Sequence, residues 1–119
     1  MYKTIKNKEE AILIEKKSKF IAELYPITTK EEAEEIMQTV RKKYYDAKHH
    51  CYAYRIRTET GLIEKNSDDG EPSGTAGNPM LHVLQKEDLY NVLIVVIRYF
   101  GGILLGTGGL VRAYTQAMQ

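Results

Sequence analysis

Six consecutive aliphatic residues, VLIVVI at positions 92–97, constrain this 119-residue chain more than any other stretch. A run this short cannot cross a bilayer, which takes roughly 18 or more apolar residues, so it predicts a buried strand. A chain of this length buries one core, and a single domain over residues 1–119 is expected. With 43% hydrophobic and 28% charged residues, its composition is that of a soluble globular protein with no membrane partner. The opening MYKTIKNKEE has no apolar segment behind its lysines, which argues against a secretory signal. Cys51, the one cysteine, cannot form an intrachain disulfide, agrees with a reducing compartment and reads as a small buried hydrophobe. A cytoplasmic location is expected. The net charge of +1 provides no global attraction to nucleic acid, so any polyanion binding must be local.

Around the central run, periodicity predicts the remaining elements. EAILIEKKSKFIAELY, 10–25, alternates over two short stretches interrupted by Lys16, Lys17 and Ser18, which fits two strands and a tight connection; Thr4 to Lys6 is a candidate further edge strand. TTKEEAEEIMQTVRKKYY predicts a helix. Thr29 with Glu32 forms a capping box, Ala33, Ile36, Met37, Val40 and Tyr44 share a face, and basic residues crowd the last turn. HHCYAYRIR, 49–57, alternates as a half-buried strand, and Gly61 suggests a turn. Gly77 to Gln85 predicts a helix with Ser73 or Thr75 as its N-cap and Pro79 in its first turn. A last helix begins near Leu110 and reaches Gln119 with no glycine cap or basic cluster, which predicts a chain that continues. The order strand, strand, helix, strand, helix, strand, helix predicts an α+β layered domain, a mixed sheet with helices on one face.

Two glycine-rich segments, SDDGEPSGTAGNP at 67–79 and GGILLGTGG at 101–109, precede these helices. Strand, glycine turn, helix is an arrangement suited to anions, because free amides at a helix start point at the ligand. Nucleotide motifs nevertheless fail: Gly101 and Gly106 have the spacing of a phosphate-binding loop, but Thr107 stands where its lysine is required. The dinucleotide pattern breaks at Val111, and a hydrolase elbow around Ser73 would need glycine where Glu71 stands. His49, His50, Cys51 and His82 lack a second ligand pair at chelating spacing, and Asp68, Asp69 and Glu71 lack the acid spacing of a calcium loop. No metal, no cofactor and no catalytic residue are expected. The candidate anion- or RNA-binding set is Arg98, Arg112, Gly106, Thr107, Gly108, Gly109, Ser73, Gly74 and Thr75. The alternative for Arg98 is an internal ion pair with Asp68 or Asp69, in which Asp68, Asp69 and Glu71 anchor the loop. That loop is expected to be ordered.

SDDGEPSGTAG followed by RYFGGILLGTGGLVRAY resembles the signature of the IMPACT family in its bacterial YigZ branch, and KKSKFIA and DAKHHCYAY fit as well. The resemblance covers nearly the whole chain. It implies an N-terminal domain with the two-layer fold of a small-subunit ribosomal protein domain and of elongation factor G domain IV. A second, ferredoxin-like domain, absent from this chain, is implied too. Eukaryotic members act in translational control, competing for the ribosome-associated activator of a stress-responsive initiation-factor kinase. The expected function is therefore a non-enzymatic translation-associated regulator that binds RNA, the ribosome or a ribosome-bound protein. The alternative is an enzyme acting on a small phosphorylated or carboxylated substrate in a pocket between the glycine segments. The sequence assigns no oligomeric state.

Overall fold

A computed structural model describes residues 7–118; the candidate strand at Thr4 to Lys6 lies outside them. The chain runs β1 (Glu9–Glu15), β2 (Ser18–Pro26), α1 (Lys30–Lys43), β3 (His49–Thr58), β4 (Gly61–Ser67), α2 (Gly77–Lys86), β5 (Val92–Tyr99) and α3 (Gly106–Ala117). The five strands form one sheet in the order β1-β2-β5-β3-β4, and each pairing is antiparallel. The α+β class therefore holds, while the expected mixed sheet is corrected to an antiparallel one. β4 was missed because GLIEKNS has only two adjacent apolar residues, and as an edge strand it stays largely exposed.

Helices on one face are corrected as well. Val92, Ile94 and Val96 pack with Met80, Leu84, Leu110 and Tyr114 of α2 and α3, whereas Leu93, Val95 and Ile97 pack with Ala33, Met37 and Val40 of α1. The domain thus has three layers, with the sheet in the middle. The reason lies in β5 itself: successive strand side chains point to opposite faces, so an unbroken aliphatic run needs cover on both. Burying each such side chain contributes about 1.5–3 kcal/mol. β3 is likewise covered on both sides, with its small residues Cys51 and Ala53 admitting α2 and α3 closely.

Local chemistry sets the ends. Thr29 Oγ1 accepts from Glu32 N at 3.1 Å, while the Glu32 carboxylate accepts from Thr28 N at 3.2 Å and from the Thr28 hydroxyl, one residue earlier than in a reciprocal capping box. At the C-terminal end of α2, buried Arg55 donates to Leu84 O at 3.3 Å, which also accepts from Leu89 N at 3.0 Å, and to Leu89 O just beyond the helix at 3.2 Å. The β1–β2 turn uses two lysines at positive φ, Lys16 at 46° and Lys17 at 67°. Gly101 lies directly against the Lys17 carbonyl, where a Cβ would collide with the backbone. That contact fastens the second glycine segment to the turn.

Candidate functional site

The first glycine segment folds around Asp68. Its Oδ1 accepts from Ala76 N and Gly77 N at 3.1 and 2.8 Å, and its Oδ2 accepts from Gly74 N at 3.0 Å. Burial disfavours the charge, yet the three amides outweigh it and hold the Asp68 carboxyl below the usual range. Asp68 thus caps α2 from eight residues upstream of its N-cap position, Ala76, which makes no side-chain cap bond. Neither Ser73 nor Thr75 is the N-cap: Ser73 is exposed, and Thr75 Oγ1 donates to Pro72 O at 2.6 Å. The chain turns too early for either hydroxyl to reach the first amides of the helix.

The other two acids point elsewhere. Asp69 Oδ2 accepts from His50 N at 2.7 Å, on β3. Glu71 turns inward and accepts from Arg98 Nη1 at 3.0 and 2.8 Å and from Tyr114 Oη at 2.5 Å. Arg98 therefore pairs with Glu71, not with Asp68 or Asp69, because those two carboxylates are already spent on backbone amides. Its Nε and Nη2 donate to Ser18 Oγ at 3.4 and 3.2 Å, and only 5% of the residue is exposed. Tyr114 is positioned from α3 by edge-to-face contact with Phe20, ring centroids 5.2 Å apart.

His49 Nδ1 lies 2.7 Å from Asp69 O, so that nitrogen carries the proton, since a carbonyl only accepts; Nε2 is 3.3 Å from Glu71 Oε1. His50 turns the opposite way, its Nε2 2.6 Å from Tyr44 O. Cys51 Sγ donates to Asp68 O at 3.1 Å and lies 3.4 Å from Tyr114 Oη. Burial pushes both the thiol and the Tyr114 phenol well above their ordinary ranges, reinforced at the phenol by Cys51 and Glu71 and at the thiol by Glu71, Asp69 and Asp68, which together with burial outweigh the hydrogen bond with Tyr114; the thiol is correspondingly inert. Among the described residues, no group of three or more His, Cys, Asp or Glu is placed to hold a metal.

The second glycine segment enters α3 at Gly106, earlier than the expected start near Leu110. Glycine's poor helix propensity hides this start from sequence reading; close packing of Gly109 against Leu105 permits it. The candidate anion residues are then divided. Arg98, Gly106 and Thr107 line a half-open pocket of about 350 Å³ with Lys48, His49 and Glu71. Arg112 and Gly109 line an adjoining hollow of about 130 Å³ with Lys16 and Glu15. Gly74 belongs to a third hollow beside Asn78 and His82, Gly108 and Ser73 are exposed, and Thr75 is buried. Lys48, Phe100 and Leu104 escaped sequence reasoning as site residues; the one available signal was the aliphatic ILL inside a glycine loop.

Comparison with known proteins adds to this geometry. The family model of the Impact N-terminal domain matches residues 16–119. The chain is 49% identical over 117 residues to the IMPACT family member YvyE of Bacillus subtilis (strain 168), covering 98% of this chain and 54% of that protein. It is 47% identical over 100 residues to the IMPACT family member YigZ of Escherichia coli (strain K12), covering 83% and 49%. Among solved structures, the two-domain translational regulator Yih1 superposes with a TM-score of 0.64 at 25% identity, over 96% of this chain and 46% of that one. The chain spans about half the length of the curated relatives it matches. Among the described residues, no helix is long and apolar enough to cross a membrane.

Proposed function

Because this chain belongs to the IMPACT family, matching its N-terminal domain, we propose that it is a translation-associated regulatory module that acts by binding rather than by catalysis. The observation that carries this reading is the likeness to the translational regulator Yih1 over 96% of the chain. The site chemistry supports it. The groups that resemble catalytic ones are occupied with each other: Glu71 by Arg98 and Tyr114, Asp68 by three amides, and Cys51 held as a thiol.

Its partner in this reading is the ribosome, its RNA or a protein bound to it. Arg112, Lys16 and the free amides at the start of α3 offer a phosphate-facing edge, whereas Arg98 serves the fold. Crosslinking in living cells tests the reading, with sedimentation of the protein among ribosomal fractions as the second readout. Crosslinks to ribosomal RNA, ribosomal protein or a ribosome-bound factor are expected; their absence, with the protein confined to ribosome-free fractions, rejects the reading.

One observation favours the second reading, an enzyme for a small phosphorylated or carboxylated substrate: both glycine segments line the same 350 Å³ pocket. Against it stand apolar walls of Phe100, Leu104, Leu105 and Leu110 around an Arg98–Glu71 pair whose charges already neutralise one another. Stabilisation of the fold by inorganic phosphate or citrate, lost on Thr107→Ala, would support this second reading.

A further inference from the structure

The pocket between the two glycine segments has a spent floor and unspent walls. On the floor, Arg98 is neutralised by Glu71 and His49 is fixed against Asp69 O, so an entering anion meets a carboxylate as readily as a cation. On the walls, Phe100 is 45% and Leu104 80% exposed, with Leu105 and Leu110 beneath them. Ile103, 41% exposed, belongs to the same loop. Scattered apolar residues on a surface need no explanation, but apolar residues gathered around a concavity mark an interaction site. The loop that carries them is fastened at its base by Gly101 against Lys17, so the cup is preformed.

The rim is basic. Lys48 borders the pocket itself, and the adjoining hollow, which shares Leu105, adds Lys16 and Arg112 against the single acid Glu15. We infer that this pocket docks a partner protein by receiving one bulky aliphatic or aromatic side chain, with an acidic neighbour of that side chain meeting Lys48. The inference rests on the binding-module reading and names the partner's chemistry. A volume of about 350 Å³ is at the small end of ligand pockets and admits a bulky anchoring side chain with part of its neighbour. An unpaired base needs a flat aromatic or guanidinium platform and a track of cations along its backbone. Here Phe100 is the one phenyl ring on the walls, set among Leu104, Leu105, Leu110 and Pro72, and the Arg98 guanidinium, 5.6 Å from the centre of that ring, is itself buried and offers no open face.

Selection of a phage-displayed random-peptide library on the protein tests the inference. Enriched sequences should share a bulky apolar residue next to Asp or Glu, and the synthetic consensus peptide should shift the resonances of Leu104, Leu105 and Leu110. Leu104→Asp and Lys48→Glu change exposed side chains and leave the fold intact; each should weaken the peptide about tenfold or more, while Leu62→Asp on the far edge of the sheet leaves binding unchanged. No enriched consensus, equal binding by all three variants, or resonance shifts elsewhere overturns the inference. So does loss of binding to a structured ribosomal RNA fragment in Leu104→Asp with no peptide bound, which assigns the pocket to RNA. In cells, Leu104→Asp should reduce ribosome association. If association persists undiminished, the pocket inference fails while the regulator reading stands; if wild-type protein never associates yet binds the consensus peptide, the regulator reading fails and the pocket remains.

Discussion

Glu71 and Arg98, 27 residues apart in sequence, meet through one guanidinium nitrogen that reaches both carboxylate oxygens at 3.0 and 2.8 Å. The pair ties the first glycine segment to the end of the central strand, and both side chains are almost wholly buried. Removing one partner leaves an uncompensated charge in a low-dielectric interior. Glu71→Ala is expected to cost about 3–5 kcal/mol, read from urea denaturation, whereas the double change Glu71→Leu with Arg98→Met should recover much of that loss.

Asp68 makes stability sensitive to acid. Its folded-state carboxyl lies below the ordinary range, so its contribution is fully present above the unfolded pKa of about 3.9 and is lost as pH falls through the lower folded value. Asp68→Ala removes the remote cap of α2 and should cost about 1–2 kcal/mol at neutral pH. Denaturation profiles of wild type and variant should draw together as pH falls below about 4, through the depressed folded-state value.

Cys51 is completely buried and held as a thiol, so in the native protein a maleimide should modify it only through opening of the domain. Tyr114→Phe removes the hydroxyl shared by Glu71 and Cys51, with an expected loss of about 1–3 kcal/mol. Under conditions where reclosing outpaces modification, the rate at Cys51 should then rise about tenfold for each 1.4 kcal/mol lost. A fast reaction in folded wild-type protein contradicts this placement.

The β1–β2 turn places Lys16 and Lys17 at positive φ, a conformation that Asn and Gly adopt with less strain. Lys16→Asn with Lys17→Gly should raise the midpoint of thermal unfolding, a gain of about 1 kcal/mol. Gly101→Ala should lower it, because the added methyl meets the Lys17 carbonyl.

Arg112 is exposed midway along α3, its guanidinium beside Gly108 in the first turn, and replacing it leaves the core untouched. If it contacts a phosphate, Arg112→Ala should reduce the slope of log affinity against log salt by about one, for a structured ribosomal RNA fragment, without altering sequence preference. An unchanged slope in the folded variant removes Arg112 from any RNA contact.

Much of the secondary structure was legible because it is written in short-range order. The α1 start follows from Thr29 and Glu32, three residues apart, and the central strand from six adjacent aliphatics. Family membership was legible in the glycine-rich segments themselves. Two features were present in the sequence but understated there: β4, whose edge position needs few apolar residues, and the cover required on both faces of β5.

What tertiary structure alone decided is the pairing of groups far apart in the chain. Three acids within four positions of one loop are equivalent to a sequence reader, yet Asp68 goes to the amides of α2, Asp69 to β3 and Glu71 to Arg98. Insertion of β5 between β2 and β3 brings Ser18, His49 and Arg98 to one end of the sheet, and α3 then lowers Tyr114 onto Glu71. Local propensity reaches three or four residues, and it determined the helices and strands. A buried charge instead takes whichever partner the packed chain leaves within about 3 Å, so the site came from the order of the strands.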